Sequence, residues 1–339
     1  MSARGRLLQT GGLLTASLLL LSGCAAGGTA TSSAATQLVA EEFTQVSEVH
    51  EATGMALLEG PTFGADGHLY LVDVVSGPGE PKLLKVDVTS KEVSSLYTDD
   101  SGAYSSAQFS PKDGKLYLSD IAGGRIISMN ADGSEAETFF AGQVDGRRVS
   151  PDDIAFNEDG DLFVSDFTAF PGVPLEAAQA GRIIRIDADS AKGSVVAEDL
   201  PSTNGISFNE DFTALWLSQY AANRIDLLKL NAQGTQAAAI HPAVYVDGGE
   251  AQVDSNAVDA AGNVYQMFEH DTRVDVYSPK GQLLAQVKMP EAAQGLDSAT
   301  NIAIKPGTTE GFITVSGAAG GFIYTFESLA EGIRQTNGG

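Results

Sequence analysis

DIAFNEDGDLFVSD, residues 153–166, reads as two short strands around a turn: an apolar run at 154–156, turn formers at 157–161, and a second apolar run at 162–164. The same grammar returns five more times. The other copies are GPTFGADGHLYLVD (60–73), AQFSPKDGKLYLSD (107–120), GISFNEDFTALWLSQ (205–219), NAVDAAGNVYQM (256–267) and NIAIKPGTTEGFITV (301–315). Their central residues are Phe63, Phe109, Phe156, Phe208, Val258 and Ile304, so the unit recurs every 46 to 52 residues. That is the length of four short strands with their turns. Asp66-Gly67, Asp113-Gly114 and Asp159-Gly160 suit the positive φ of tight hairpins. A third strand follows in each unit, as in RIISMNA (125–131) and RIIRIDA (182–188), and a fourth closes units one to five, as in LLAQVKMP (283–290). The sixth unit runs out of chain after Ser328, while FTQVSEVH (43–50) stands unassigned ahead of the first. The expected fold is therefore all-β, a six-bladed β-propeller whose last blade is closed by an N-terminal strand. A β-sandwich or a solenoid would accommodate the alternating strands, but neither explains a strand missing at one end and spare at the other.

In a propeller the first strand of every blade lines a central channel, and residues at one phase of the repeat share one height. Four positions before each central residue stand Glu59, Ser105, Asp152, Asn204, Asp254 and Thr300. All six carry oxygen, three are carboxylates, and none is cationic. Converging carboxylates cannot all remain ionised without a counter-charge. Glu59, Asp152, Asn204 and Asp254 are thus candidate ligands of one divalent cation. All-oxygen donors suit Ca²⁺, with Mg²⁺ or Mn²⁺ as alternatives, and Zn²⁺ would ask for His or Cys. Taken singly, each is an ordinary turn residue before a strand; the shared phase is what points to a metal. Ser105 and Thr300 complete the ring as candidate substrate contacts. The loops between second and third strands should open on the same face. They hold Tyr220 in unit four, Glu269 and His270 in unit five, and a long segment at 167–181 that is a candidate pocket wall. Asp73, Asp120 and Asp166 end their strands in phase and are expected to bond loop backbone.

Residues 1–23 read as a lipoprotein signal peptide: Arg4 and Arg6, an apolar stretch at 13–21, then Leu21-Ser22-Gly23-Cys24 as a lipobox. Cys24, the sole cysteine, is the expected lipidation site. Residues 24–40 are expected to form a flexible tether and residues 41–334 the propeller. This places the protein on the extracytoplasmic face of a bacterial cell membrane, touching the bilayer only through its lipid. A formal charge of −24 excludes nucleic acid as a partner. No GxxxxGK[ST], HExxH, CxxC or GxSxG pattern occurs. A cation at an open mouth polarises a carbonyl and acidifies water, which suits hydrolysis of a small-molecule lactone or ester.

Glu59-Gly60-Pro61, Ser150-Pro151-Asp152-Asp153, Asn204-Gly205 and Asp254-Ser255 stand in an order and spacing that resemble the gluconolactonase family, which includes senescence marker protein and the luciferin-regenerating enzyme. The segments at 152–167 and 204–219 are especially similar to its drug-responsive bacterial lactonases. The resemblance runs from about Glu59 to Ala330. It implies a six-bladed propeller with Ca²⁺ in the channel, ligands Glu59, Asp152, Asn204 and Asp254 with Ser255 adding an oxygen, and Asp254 as the acid/base. It also implies a substrate-binding arginine within Gly146-Arg147-Arg148, without choosing between Arg147 and Arg148. Many members carry Asn at the position of Asp152. Residues 144–150 do not reproduce the second-calcium ligands of the bacterial lactonases. The alternative is a non-catalytic, ligand- or partner-binding propeller lipoprotein with a structural metal.

Overall fold

The computed structural model describes residues 34–291 and 293–336. The leader at 1–23 and Cys24 lie outside the described residues. The described chain is nearly all β. Each repeat unit forms one antiparallel run of four strands, in chain order from a buried inner strand outward. The inner strands are Leu58–Phe63, Tyr104–Phe109, Pro151–Phe156, Thr203–Phe208, Gln252–Val258 and Leu296–Ile304. The first four runs are separate sheets. The fifth and sixth are joined into one nine-stranded sheet by a pairing of Phe268 with Ala299. The sixth run lacks a fourth strand of its own. Glu41–Ser47 supplies it, antiparallel to Gly320–Glu327.

Burial explains why the runs stack. Both faces of each sheet are apolar near the inner strands, so each must be covered by a neighbour. Six clusters fill the seams between consecutive runs. One packs Tyr70, Val72 and Leu83 of the first run on Leu116 and Leu118 of the second. The last packs Ala303, Phe312 and Ile323 of the sixth run against Leu58, Phe63 and Leu69 of the first. The inner strands touch in the same cyclic order, ending with Leu296–Ile304 against Leu58–Phe63.

Two features depart from the expected boundaries. Thr36–Val39, assigned to the tether, forms a strand parallel to Leu283–Lys288, with Leu38 on the core and Ala40 buried. The outer strand of the fifth run would otherwise present unpaired backbone groups, and this segment covers them. At the other end the chain continues to Thr336, which is fully buried. Its tail turn lies against the inner strands of the fourth, fifth and sixth runs. Arg334 sits over the Phe212 ring at 4.6 Å, and Gln335 donates to the Asn209 carbonyl at 3.2 Å. Arg334 and Gln335 share a small cleft with Gln108, Ala155 and Ser207, the residues one position before three of the central ones. The tail thus covers that end of the inner strands, and the opposite end carries the candidate site.

Candidate active site

Every inner strand is irregular at the same place. Its pairing with the second strand slips between Glu59 and Thr62, Tyr104 and Ser106, Pro151 and Ile154, Thr203 and Ile206, Val253 and Asn256, and Ala299 and Asn301. Bulges at strand ends re-aim side chains. Here the slip lets two consecutive residues of each strand leave the in-and-out alternation. Two polar rows result. The first is the expected ring of Glu59, Ser105, Asp152, Asn204, Asp254 and Thr300. The second is Gly60, Ser106, Asp153, Gly205, Ser255 and Asn301. Strict alternation hid the second row, although all six of its members are small or polar in the sequence.

The ring carboxylates converge. Burial first, then the charges of Asp254, Asp153 and Asp152, push the Glu59 carboxyl well above its usual range, with an Asn301 hydrogen bond opposing. Asp254 is driven up by burial, then by Glu269, Asp152 and Asp153, and is opposed by a hydrogen bond from Asn204. Burial also pushes Asp152 up, to about 7, against a Ser105 hydrogen bond. Asp153 rises through burial and Asp152, with hydrogen bonds from Ser255 and Ser106 opposing. Asn301 Nδ2 donates to Ser255 Oγ at 2.9 Å within the second row, and the Asn301 hydrogen bond to Glu59 links that row to the first. Glu59, Asp152, Asn204, Asp254 and Ser255 are therefore brought together as expected, and Asp153 and Asn301 join them.

The donor set suits a hard cation. Among the described residues no three His, Cys, Asp or Glu side chains already stand as a ready-made metal cluster. Yet Glu59 Oε2 and Asp153 Oδ2 are buried with no hydrogen-bond partner. A buried carboxylate oxygen without a donor is costly, and a cation supplies what is missing.

The other expected contacts have partners within the protein. Ser105 Oγ donates to the carbonyl of Asp152 at 3.3 Å, and Thr300 Oγ1 to that of Leu58 at 2.6 Å. Each hydroxyl ties its inner strand to the next one around the ring, so neither is a free substrate contact. Arg147 Nη2 donates to the Ala180 carbonyl at 2.5 Å and pairs with Asp166 at 3.3 Å. Arg148 donates to the Ala122 carbonyl. Both belong to a short hairpin, Gln143–Val144 with Arg147–Arg148, that fastens loops. His270 is exposed, 3.8 Å from Glu269. Of the expected mouth residues, Tyr220 and Glu269 reach the site. The Tyr220 hydroxyl donates to Glu269 and lies in the field of Asp254 and Asp152, and its ring meets Phe167 edge-on at 5.4 Å.

Asp73, Asp120 and Asp166 behave as expected. Their Oδ1 atoms accept from the backbone N–H of Leu57 (3.3 Å), Ala103 (3.2 Å) and Ser150 (2.6 Å), fixing the entry of each inner strand. Their Oδ2 atoms take a basic partner: His50 at 2.8 Å, Arg125 at 2.7 Å and Arg182 at 2.6 Å.

Residues 57–315 match the region described as SMP-30/Gluconolactonase/LRE-like. The chain is 27% identical over 284 residues to lactonase drp35 of Staphylococcus saprophyticus, covering 81% of this chain and 84% of that one. Solved structures with the same fold include a calcium-binding protein, regucalcin, from Agrobacterium tumefaciens (TM-score 0.66, 16% identity, 88% of this chain and 99% of that one). Another is the gluconolactonase XC5397 of Xanthomonas campestris (TM-score 0.66, 20% identity, 85% and 97%).

Proposed function

The chain belongs to the SMP-30/gluconolactonase/LRE-like family, and on that premise we propose that it hydrolyses lactones at the mouth of a six-bladed propeller. The cyclic order of inner-strand contacts and the six seam clusters support the blade count. The observation that carries the catalytic reading is the convergence of four buried carboxylates around the partnerless Glu59 Oε2. Glu59, Asp152, Asn204 and Asp254, with Ser255, would hold a divalent cation, Ca²⁺ by donor chemistry, and Asp153 adds its charge to the same cluster. Bound there, such an ion supplies polarisation of the lactone carbonyl and a more acidic water.

The protein's own groups complete the chemistry. Asp254, oriented by Asn204, accepts a proton from the attacking water as its oxygen bonds to the carbonyl carbon. The same carboxyl returns that proton to the ring oxygen as the C–O bond breaks, leaving a hydroxy acid. Tyr220, whose ring rests against Phe167, lies near Asp254. No observation favours the non-catalytic alternative.

A lactone panel with and without chelator tests the reading, together with Asp254→Asn. Hydrolysis should depend on added Ca²⁺, and the variant should lose at least about a hundredfold in kcat, the usual contribution of a general base. Absence of hydrolysis of every lactone and ester by metal-loaded protein would defeat it. The leader and lipobox support export and lipid anchoring through Cys24, which intact mass of membrane-extracted protein checks.

A further inference from the structure

Glu269 is a fifth carboxylate at this mouth, and neither row contains it. It ends the second strand of the fifth run, where it pairs with Gln252. Its Oε2 accepts from the Tyr220 hydroxyl, a contact that crosses from the fourth run to the fifth. Tyr220 is braced in turn by Phe167, and Phe167 by Phe170, in edge-on contacts of 5.4 and 5.6 Å. Glu269 is thereby held at a fixed place above the ring. Its charge reaches both Asp254 and Asp152.

Little at this place offsets it. The basic group beside Glu269 is the exposed His270 ring at 3.8 Å. Arg273 nearby is turned to Asp271 at 2.5 Å and lies over Phe268 at 4.3 Å. A divalent ion among Glu59, Asp152, Asp153 and Asp254 would neutralise only part of their charge. A substrate entering past Glu269 therefore meets a negative potential.

We propose that Glu269, held by Tyr220, is a charge gate that admits neutral and cationic lactones and rejects anionic ones. The gate also favours departure of the carboxylate product. Glu269 is a specificity residue that acts on the substrate's charge. The inference rests on the lactonase reading above and names the substrate class within it.

The test compares γ-valerolactone with its carboxylate-bearing analogue, 5-oxotetrahydrofuran-2-carboxylate, in the Ca²⁺-loaded full domain. Wild type should favour the neutral lactone in kcat/KM by at least about tenfold, the scale of one charge acting over several ångströms at a protein surface. Glu269→Gln, similar in shape, should shrink that ratio about tenfold. Glu269→Asp should retain most of it. Raising salt should narrow the wild-type ratio more than that of Glu269→Gln, because the variant lacks one of the charges that salt screens. Thermal melts of the variants establish that they fold. An unchanged ratio and salt response in folded Glu269→Gln overturns the gate and leaves the lactonase reading intact. If no lactone is hydrolysed, calorimetric binding of the corresponding lactams, 5-methyl-2-pyrrolidinone and pyroglutamate, still decides it. Preference for the neutral lactam, lost in Glu269→Gln, supports the gate; equal binding of the two, or binding of neither, overturns it.

Discussion

Asp152 and Asp153 are adjacent in the chain, yet both are buried among the same carboxylates. Only the slipped pairing between Pro151 and Ile154 permits this. The neighbouring strands must then approach closely, and two of the six second-row residues are glycine for that reason. A Cβ on Gly205 would stand 2.6 Å from Asn256 N and 2.8 Å from Ser218 Oγ. On Gly60 it would fall 2.7 Å from Ser106 Cα, with φ at +54° as well. Gly205→Ala should therefore cost about 1–3 kcal/mol through overpacking alone, and chemical denaturation measures it. Gly60→Ala should cost more, since strain adds to the clash. At Glu59 the sign depends on the metal. Glu59→Gln removes a buried carboxylate that its neighbours oppose. With chelator the variant should melt roughly 1–2 °C higher than wild type, the shift expected from about 1 kcal/mol in a domain of this size. With Ca²⁺ the order should reverse, because a ligand is lost. Melts in both conditions check the crossing. The sequence made the first row legible because phase alone defines it. The second row as a row was not legible, since a bulge is a property of strand pairing rather than of residue order; of its members only Ser255 is expected as a ligand, through the family resemblance. How Arg147 and Arg148 are held was not legible either, because a motif position does not reveal that a nearby carbonyl, Ala180 or Ala122, accepts from the guanidinium.

At the scale of the element, the clasp at the end of the second strand is one device with different basic partners. Asp120 and Asp166 each hold an arginine, which stays charged at any working pH. Asp73 holds His50, whose other ring nitrogen lies 2.6 Å from Glu80. Ser47 Oγ, at the end of the closing strand, donates to the same Asp73 oxygen at 2.5 Å. Burial pulls the His50 pKa down, but Asp73 and Glu80 outweigh it and the net shift is upward. A group whose folded pKa exceeds its unfolded value of 6.5 adds stability in full below pH 6.5 and loses it as pH rises through the folded value. The first clasp should therefore loosen as pH rises through the raised His50 value, where the other two hold. Thermal melts of wild type and His50→Gln from pH 5.5 to 9 check this. The difference between them should be largest at acid pH and shrink as pH rises; a constant difference would refute the ionic role. The sequence showed the three aspartates in phase, so their backbone role could be read from it. His50 lies outside the repeat, and only closure of the ring brings it to Asp73.

For the whole molecule, closure distributes the candidate site over the fold. Glu59, Asp152, Asn204 and Asp254 come from the first, third, fourth and fifth runs. A cation held by all four would tie those runs together from the inside, while the strand Glu41–Ser47 ties the last run from the outside. Phe43 marks that outer tie, edge-on to Phe312 at 5.5 Å and beneath Lys91 at 4.5 Å. Ligand binding to the folded state alone adds about 2.7 kcal/mol when free ion is a hundred times its dissociation constant. The stabilisation should be global, because no single sheet owns the site. Hydrogen exchange followed by mass spectrometry with Ca²⁺ and with chelator separates the possibilities. Removing the ion should speed exchange together in the inner strands Leu58–Phe63, Pro151–Phe156, Thr203–Phe208 and Gln252–Val258. The outer strand Val93–Thr98, which carries no ligand and sits far from the channel in strand order, should change least. Phe43→Ala should raise exchange first along Glu41–Ser47 and Gly320–Glu327, with or without the ion. A response to chelation confined to one run would mean that the four ligands do not share one cation, and the ring would then be a set of separate strand-end carboxylates.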